Sequence, residues 1–310
     1  VSRSRLLQAG KTPSPTARAL ACGWALALGC GLVLAQGATR TVLLVMPPQP
    51  GKLEVMAQSA ARALASAAQV RLMPADAQPG AGLEAAVRGG GVDLLVGVGA
   101  AGEQAARAQA GSVRLMSCGA PTTTLPGVML EHDPATQFAQ LRRMLPAARR
   151  VGLVLHAAEG SPRLEAALQA ARRAGLELQP LPVESAADVQ PTVERAASAL
   201  DALMVLADAQ VLSPQAARAL LTVSMRQRVP LVGPAGSWAR AGALYALEWD
   251  YEDLGLQCAD VALRLLAPRG LGAAPLAPRR AALVINRRAA QVLKVPLAED
   301  VLRSAESIHD

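Results

Sequence analysis

From Thr41 onward the chain alternates short apolar runs with stretches of helical period. Thr41–Met46 is continuously apolar, as expected of a strand covered on both faces. The breaker Pro47-Pro48-Gln49-Pro50-Gly51 follows, and a 3.6-residue period from about Leu53 to Ala68 predicts a helix. Val70–Met73 reads as a strand, Gly82–Arg88 as a helix ended by Gly89-Gly90-Gly91, and Asp93–Val98 as a third strand. Gly99-Ala100-Ala101-Gly102 opens a helix to about Ala110, and Arg114–Ser117 is a fourth strand before the turn Gly119–Thr124.

The pattern then restarts. Pro134–Leu145 predicts a helix, Arg150–His156 a strand, and Pro162 the start of a helix closed by Gly175. Leu176–Leu181, Leu203–Leu206 and Pro230–Val232 read as strands, with helices at Asp188–Ala199 and from Pro214. A helix over Tyr251–Leu266, a Pro/Gly-rich passage (Pro268–Pro278), a strand at Ala282–Ile285 and a last helix after Asn286 complete the chain. Apolar strands alternating with amphipathic helices imply right-handed βαβ crossovers and parallel sheets with helices on both faces. The expected fold is therefore α/β: two doubly wound domains, each with about four parallel strands, facing each other across a cleft. The segment near Val128–Pro134 is the natural linker.

Composition changes the picture in three places. Hydrophobic residues make up 52% of the chain, which excludes a disordered protein. Residues 1–37 carry a basic start, the apolar run Ala19–Ala35 and small residues beyond it, as in a secretory signal peptide. Cleavage after Ala35 or after Gly37 fits; an uncleaved anchor is the rival, and lipid attachment at Cys30 is disfavoured by Ala27 where Leu is preferred. The formal charge is +7, but four basic residues (Arg3, Arg5, Lys11, Arg18) and no acid lie in this leader, leaving +3. The remaining basic residues are scattered, so nucleic acid is not an expected partner. Cys118 and Cys258 remain after the leader. They are read as two buried thiols, although an oxidising compartment would permit a disulfide. His132, His156 and His309 are isolated in sequence, no residue cluster has metal spacing, and no cofactor is expected.

In open parallel sheets a ligand sits beyond the carboxyl ends of the strands. The turns there supply the candidate ligand-binding residues: Pro48 after the first strand, Gly99, Ala100 and Ala101 after the third, Thr122 and Thr123 after the fourth, Ser161, Asp208 and Trp238 in the second half. Backbone amides at Gly99–Gly102, Ala100 and Ala101 among them, suit a carboxylate or other anion; the alternative is that the glycines serve only tight strand–helix packing. Threonine hydroxyls can meet a ligand or cap their own loop, and Ser161 can cap a helix. Asp208 could pair with an ammonium group or stabilise its loop. Trp238 could wall the cleft or pack between domains. Four of the five aromatics outside the leader (Trp238, Tyr245, Trp249, Tyr251) cluster within one short stretch; the other is Phe138. No nucleophile elbow, phosphate-binding loop or activated cysteine is present, so the chain is not expected to be an enzyme.

The run VPLVGPAGSWARAGALYALEWDYEDLGLQCADVALRLL resembles the ABC-transporter substrate-binding proteins that include tryptophan/tyrosine-type periplasmic binding proteins. LPAARRVGLVLHAAEGSP, LMVLADAQVLSP and LVINRRAAQVLKVPL are similar to further stretches of that family, and the likeness covers about residues 41–305. In the first half Pro47-Pro48 and GAPTTT depart from its polar turns. The resemblance implies a type I two-domain fold: residues 38–131 with about 251–268, and residues 132–250 with about 280–310. It implies Asp250 as a helix cap near a hinge. It also implies an exported, periplasmic, monomeric protein that closes on a small ligand, such as an amino acid or similar zwitterion, and delivers it to an ABC permease. The alternative is a sensing or scaffold component of the same fold acting on a signalling or outer-membrane partner.

Overall fold

In the computed structural model, residues 40–75, 81–109, 111, 113–157, 161–205, 213–268 and 274–310 are described. The first sheet gathers β1 (Arg40–Met46), β2 (Ala68–Pro74), β3 (Leu94–Val98), β4 (Arg114–Ala120) and β5 (Gly127–Met129) in the order β2-β1-β3-β4-β5. All pairs in it are parallel. Helices α1 (Leu53–Leu64), α2 (Ala81–Arg88) and α3 (Gly99–Ala108) connect its strands. The continuous apolar runs became the sheet centre, with Val42–Val45 at most 1% exposed.

The second half begins with α4 (Pro134–Met144), β6 (Arg150–His156), α5 (Ser161–Arg173), β7 (Glu177–Val183), α6 (Val189–Ala197) and β8 (Ala202–Val205). It continues with α7 (Pro214–Gln227), β9 (Val232–Gly233), α8 (Gly236–Ala241) and β10 (Tyr245–Glu248). Its strands form the orders β7-β6-β8 and, with β11 (Ala282–Asn286) and β12 (Ala305–His309), β12-β11-β10-β9. A parallel bridge between Leu203 and Leu231 joins the two sets. Helix starts follow the sequence signals. Ser213 accepts from the Ala216 amide ahead of Pro214, and Asn286 accepts from the Ala289 amide at the start of α10 (Arg287–Leu293).

Three expectations change. The sheets are not two sets of four parallel strands. The first has five, and β10 and β11 pair antiparallel, Tyr245 opposite Ile285 and Glu248 opposite Ala282. The reason is the chain path. After β10 the chain leaves for the first sheet as α9 (Tyr251–Leu266), and on returning it enters β11 from the end at which β10 left. The tail, expected as one helix, has α10, a short α11 (Glu299–Arg303) and strand β12. Finally, Cys118 and Cys258 are not free thiols; they form a disulfide with Cα atoms 6.0 Å apart, joining β4 to α9.

Helix α9 completes the first core. Leu254, Cys258, Val261 and Leu265 share one buried cluster with Val42, Leu44, Met56 and Val96. Gly255 permits the closest approach to α1: a Cβ there would lie 2.6 Å from the Ser59 Cβ and would run into the Met56 carbonyl. Ser59 donates to the Glu252 carbonyl at 2.8 Å, binding the two helices further.

Both sheets start with one device. The Thr41 amide donates to the Asp93 carboxylate at 2.7 Å, and the Asp93 amide donates back to the Thr41 carbonyl at 2.9 Å. In the second half the Arg149 and Arg150 amides donate to Asp201 at 2.7 and 2.8 Å, and the Asp201 amide donates to Arg150 at 2.8 Å. Thr41–Asp93 and Arg149–Asp201 are both 52 residues apart. Burial pushes the Asp201 carboxyl up, but its two amide donors and the Arg150 charge outweigh this and hold it below the usual value.

The disulfide closes a loop over a separation of 140 residues. By loop-closure entropy it should contribute up to about 5 kcal/mol. Urea unfolding of Cys118→Ser/Cys258→Ser should show a loss of at least ~2 kcal/mol, and the parent under reductant should converge on the variant. Equal midpoints with and without reductant would overturn the assignment.

Candidate functional site at the crossing between the sheets

The chain crosses between the two sheets in the segment after β5, at Trp249-Asp250 between β10 and α9, and in the passage after α9. Each crossing is held. The Leu130 amide donates to the Ala120 carbonyl at 2.8 Å. Asp250 caps α9, accepting from the Asp253 amide at 3.0 Å, as its resemblance-based role implied. The third crossing lies beside β5, where the Met129 amide donates to Leu276 and the Leu276 amide to Gly127, both at 2.9 Å. Its Arg279 binds Asp253 and Asp260 of α9.

A small cavity of about 30 Å³ opens where the ends of β8 and β9 meet the first two crossings. Leu130, Val205, Val232 and Leu247 give it apolar walls, and His132, Tyr245 and Trp249 give it polar ones. His132 is 5% exposed and Tyr245 fully buried. The two His132 ring nitrogens, the Tyr245 hydroxyl and Trp249 Nε1 are buried without a hydrogen-bond partner. The rings form a row: His132 stacks on Trp249 at 6.1 Å and 10° between planes, and Tyr251 meets Trp249 edge-on at 6.3 Å.

The charges at the rim are paired across chain segments. Arg163 of α5 grips Glu131 with two hydrogen bonds, at 3.0 and 2.7 Å. Lys52, just before α1, reaches Glu248 at 3.4 Å and lies 5.6 Å from the Tyr251 ring centre. Burial pushes the Tyr251 phenol up to about 12, with the Glu248 charge adding to the effect. Burial pushes the His132 imidazole below its ordinary value, and Glu248 opposes this. The Leu247 backbone also opposes it, but it does so by proximity, because neither ring nitrogen meets hydrogen-bond geometry.

None of the residues expected from sequence is among the described residues lining this cavity. Pro48 is exposed in its turn. Gly99 is buried with φ +65°, and a Cβ there would meet Leu53 at 2.6 Å; Ala100 and Ala101 are exposed on the first turn of α3, which has no side-chain cap. Gly97 and Gly102 have no room for a side chain, against Glu103 and the Val45 carbonyl. Those two therefore serve close packing of α3 on the sheet. Thr122 is exposed, and the Thr123 hydroxyl accepts from the Leu125 amide at 3.0 Å. Ser161 begins α5, but its side chain lies outside the described residues, as does Asp208. Trp238 is half-buried on α8, against the cluster of α6, α7 and β8, and its ring base leaves no room for a side chain at Gly233.

Sequence reasoning named none of His132, Tyr245 and Trp249 as ligand-binding residues. The aromatic cluster was the available signal; His132 had none, because it reaches Trp249 only through the return of the chain. A second missed group is Glu103, 7% exposed, which accepts from Ser117 at 2.5 Å and from Arg107 at 2.8 Å. It ties α3 to β4, and Arg107 continues to Thr124 at 3.1 Å.

The profile of the ABC transporter substrate-binding protein family matches residues 105–309. The chain belongs to that family, whose members are a solute-binding kind of protein. Its fold is that of type I periplasmic binding proteins. Solved structures with this fold include an ABC domain in complex with L-Trp from Streptococcus pneumonia, at 19% identity and TM-score 0.60 over 87% of this chain and 99% of that one. A conserved domain protein from Vibrio cholerae gives 20% and 0.60 with the same coverage. The ligand-free, open form of a substrate-binding protein with adhesive properties from Clostridium difficile gives 12% and 0.62, again over 87% and 99%. No curated protein matches the chain.

The depressed His132 pKa has a definite sign. Above the ordinary value of 6.5 the ring is neutral folded and unfolded, so stability is unaffected. As pH falls below 6.5, toward the lowered folded value, the unfolded chain takes a proton that the folded ring resists. Stability should then fall by up to about 1.4 kcal/mol per pH unit from this group. Unfolding free energies measured from pH 7.5 to 5 should show a shallower acid slope for His132→Gln. Identical slopes would refute the buried neutral imidazole.

Proposed function

We propose that this protein is exported to the periplasm, holds a small solute between its two α/β halves by hinge closure and delivers it to an ABC permease. The observation that carries the reading is the cavity at the crossing segments. It lies at the carboxyl ends of β8 and β9, where ligands of open α/β sheets bind, and it is walled by residues from both sides of two crossings. Motion about those crossings would change its shape directly. A disulfide between β4 and α9 suits an oxidising compartment.

An amino acid or similar zwitterion is the solute class this reading favours. Its carboxylate would meet the uncapped amides of Ala100 and Ala101 at the start of α3. Its ammonium would meet Asp208, and its apolar part Trp238. The L-Trp bound in the Streptococcus protein gives this class a precedent on the same fold.

A thermal-shift panel of amino acids, small acids, amines and nucleosides tests it. A true ligand at a hundredfold excess over Kd should stabilise by about 2.7 kcal/mol, or very roughly 5 to 10 °C at this size. A flat panel on well-folded protein would overturn solute capture and favour a sensing or scaffold role on a membrane partner. With a hit in hand, Asp208→Ala and Trp238→Ala should each weaken binding well beyond twofold; smaller effects from both would discard this placement of the ligand.

A further inference from the structure

Leaving a buried polar atom unpaired costs about 1–3 kcal/mol. Four such atoms belong to His132, Tyr245 and Trp249, three residues that line one cavity. A structural arrangement would pair them with one another or with the backbone; none of the four meets hydrogen-bond geometry with either, and only the Leu247 backbone lies close enough to act on the His132 ring. Their chemistry defines what would satisfy them. Trp249 Nε1 can only donate, the Tyr245 hydroxyl donates or accepts, and a neutral imidazole offers one donor and one acceptor. The carboxylate in the lining, Glu131, is already engaged by Arg163, and Glu248, next in sequence to Leu247 and Trp249, by Lys52. Of the remaining wall, Gln137 spends its amide on the His132 carbonyl at 2.7 Å, and Leu130, Val205, Val232 and Leu247 are apolar. A charged group entering here would find no free counter-charge and would lose its hydration. The cavity, about 30 Å³, admits a water or two, or one small polar group at the end of an apolar stem.

We infer that His132, Tyr245 and Trp249 form a neutral subsite that takes one uncharged, donor-and-acceptor group of the solute, a hydroxyl or a carboxamide. The inference rests on the solute-binding reading and narrows it: selectivity lies in the solute's uncharged polar tail. His132 and Trp249 stand on two different crossing segments, so an occupant bonded to both bridges them.

Matched solutes that differ only in this group test it by titration calorimetry: L-tyrosine against L-phenylalanine, and L-glutamine against L-glutamate and L-norvaline. The member carrying the hydroxyl or carboxamide should bind about 10- to 100-fold tighter. Tyr245→Phe and Trp249→Phe should each collapse that preference while sparing affinity for the partner that lacks the group. Without solute, Tyr245→Phe should melt at the parent temperature or above, because it deletes an unpaired hydroxyl. A drop of several degrees would mean that the hydroxyl already has a structural partner, and would overturn the subsite. So would a preferred solute without such a group, or a preference that survives both substitutions; either result leaves solute binding intact and the cavity a seat for fixed water. Failure of every solute, in these pairs and in the broader panel, would overturn the subsite together with the reading beneath it.

Discussion

The contact of α9 with α1 is the constraint from which the rest of the architecture follows. A helix that comes after the second sheet in sequence is built into the core of the first, with Gly255 against the α1 backbone and Cys258 bonded to β4. A chain committed to that contact must cross between the sheets after β5, return before α9, and cross again to reach β11. Those crossings make the second sheet mixed, because β11 enters from the end at which β10 left. They also bring Trp249 beside His132, and so create the cavity.

Much of the fold was legible because it rests on local pattern. The apolar runs of β1, β3 and β6 have no polar position to turn outward, and Pro162, Pro214, Asp250 and Asn286 mark helix starts by chemistry that acts within a few residues. What escaped depends on partners far along the chain. β5 has three residues and is a strand because Ser117 and Leu276 flank it. β12 has no apolar run and is a strand because β11 offers an edge. The disulfide was misjudged for the same reason: a separation of 140 residues carries no signal until α9 is seen to lie on β4.

The candidate site divides in the same way. Of the glycines given a packing alternative to anion binding, Gly102 has no room for a Cβ, and neither has Gly97 within β3. The turn threonines were suspected of looking after their own loop, and Thr123 does bond the Leu125 amide. The buried polar groups without partners sit elsewhere, on Tyr245 and Trp249 of the aromatic cluster and on His132, whose sequence neighbours suggest nothing. Among the described residues, His132 and Trp249 on the crossings and Tyr245 on β10 carry most of the buried unpaired side-chain atoms, with Gln140 of α4 the other. A physical reading gives such places the most weight, because a fold rarely leaves polar atoms buried and unpaired without use for them.

The bond between Cys118 and Cys258 also alters how the molecule is connected. Every strand from β5 to β10 lies on the covalent ring it closes. The second sheet's β6–β10 portion is thus a loop with both ends fastened to the first core, and only β11 and β12 hang from the open tail. A single peptide cut anywhere in that ring leaves one covalent molecule, both pieces still anchored to the same core. Damage in its larger loops therefore need not mean loss of the particle.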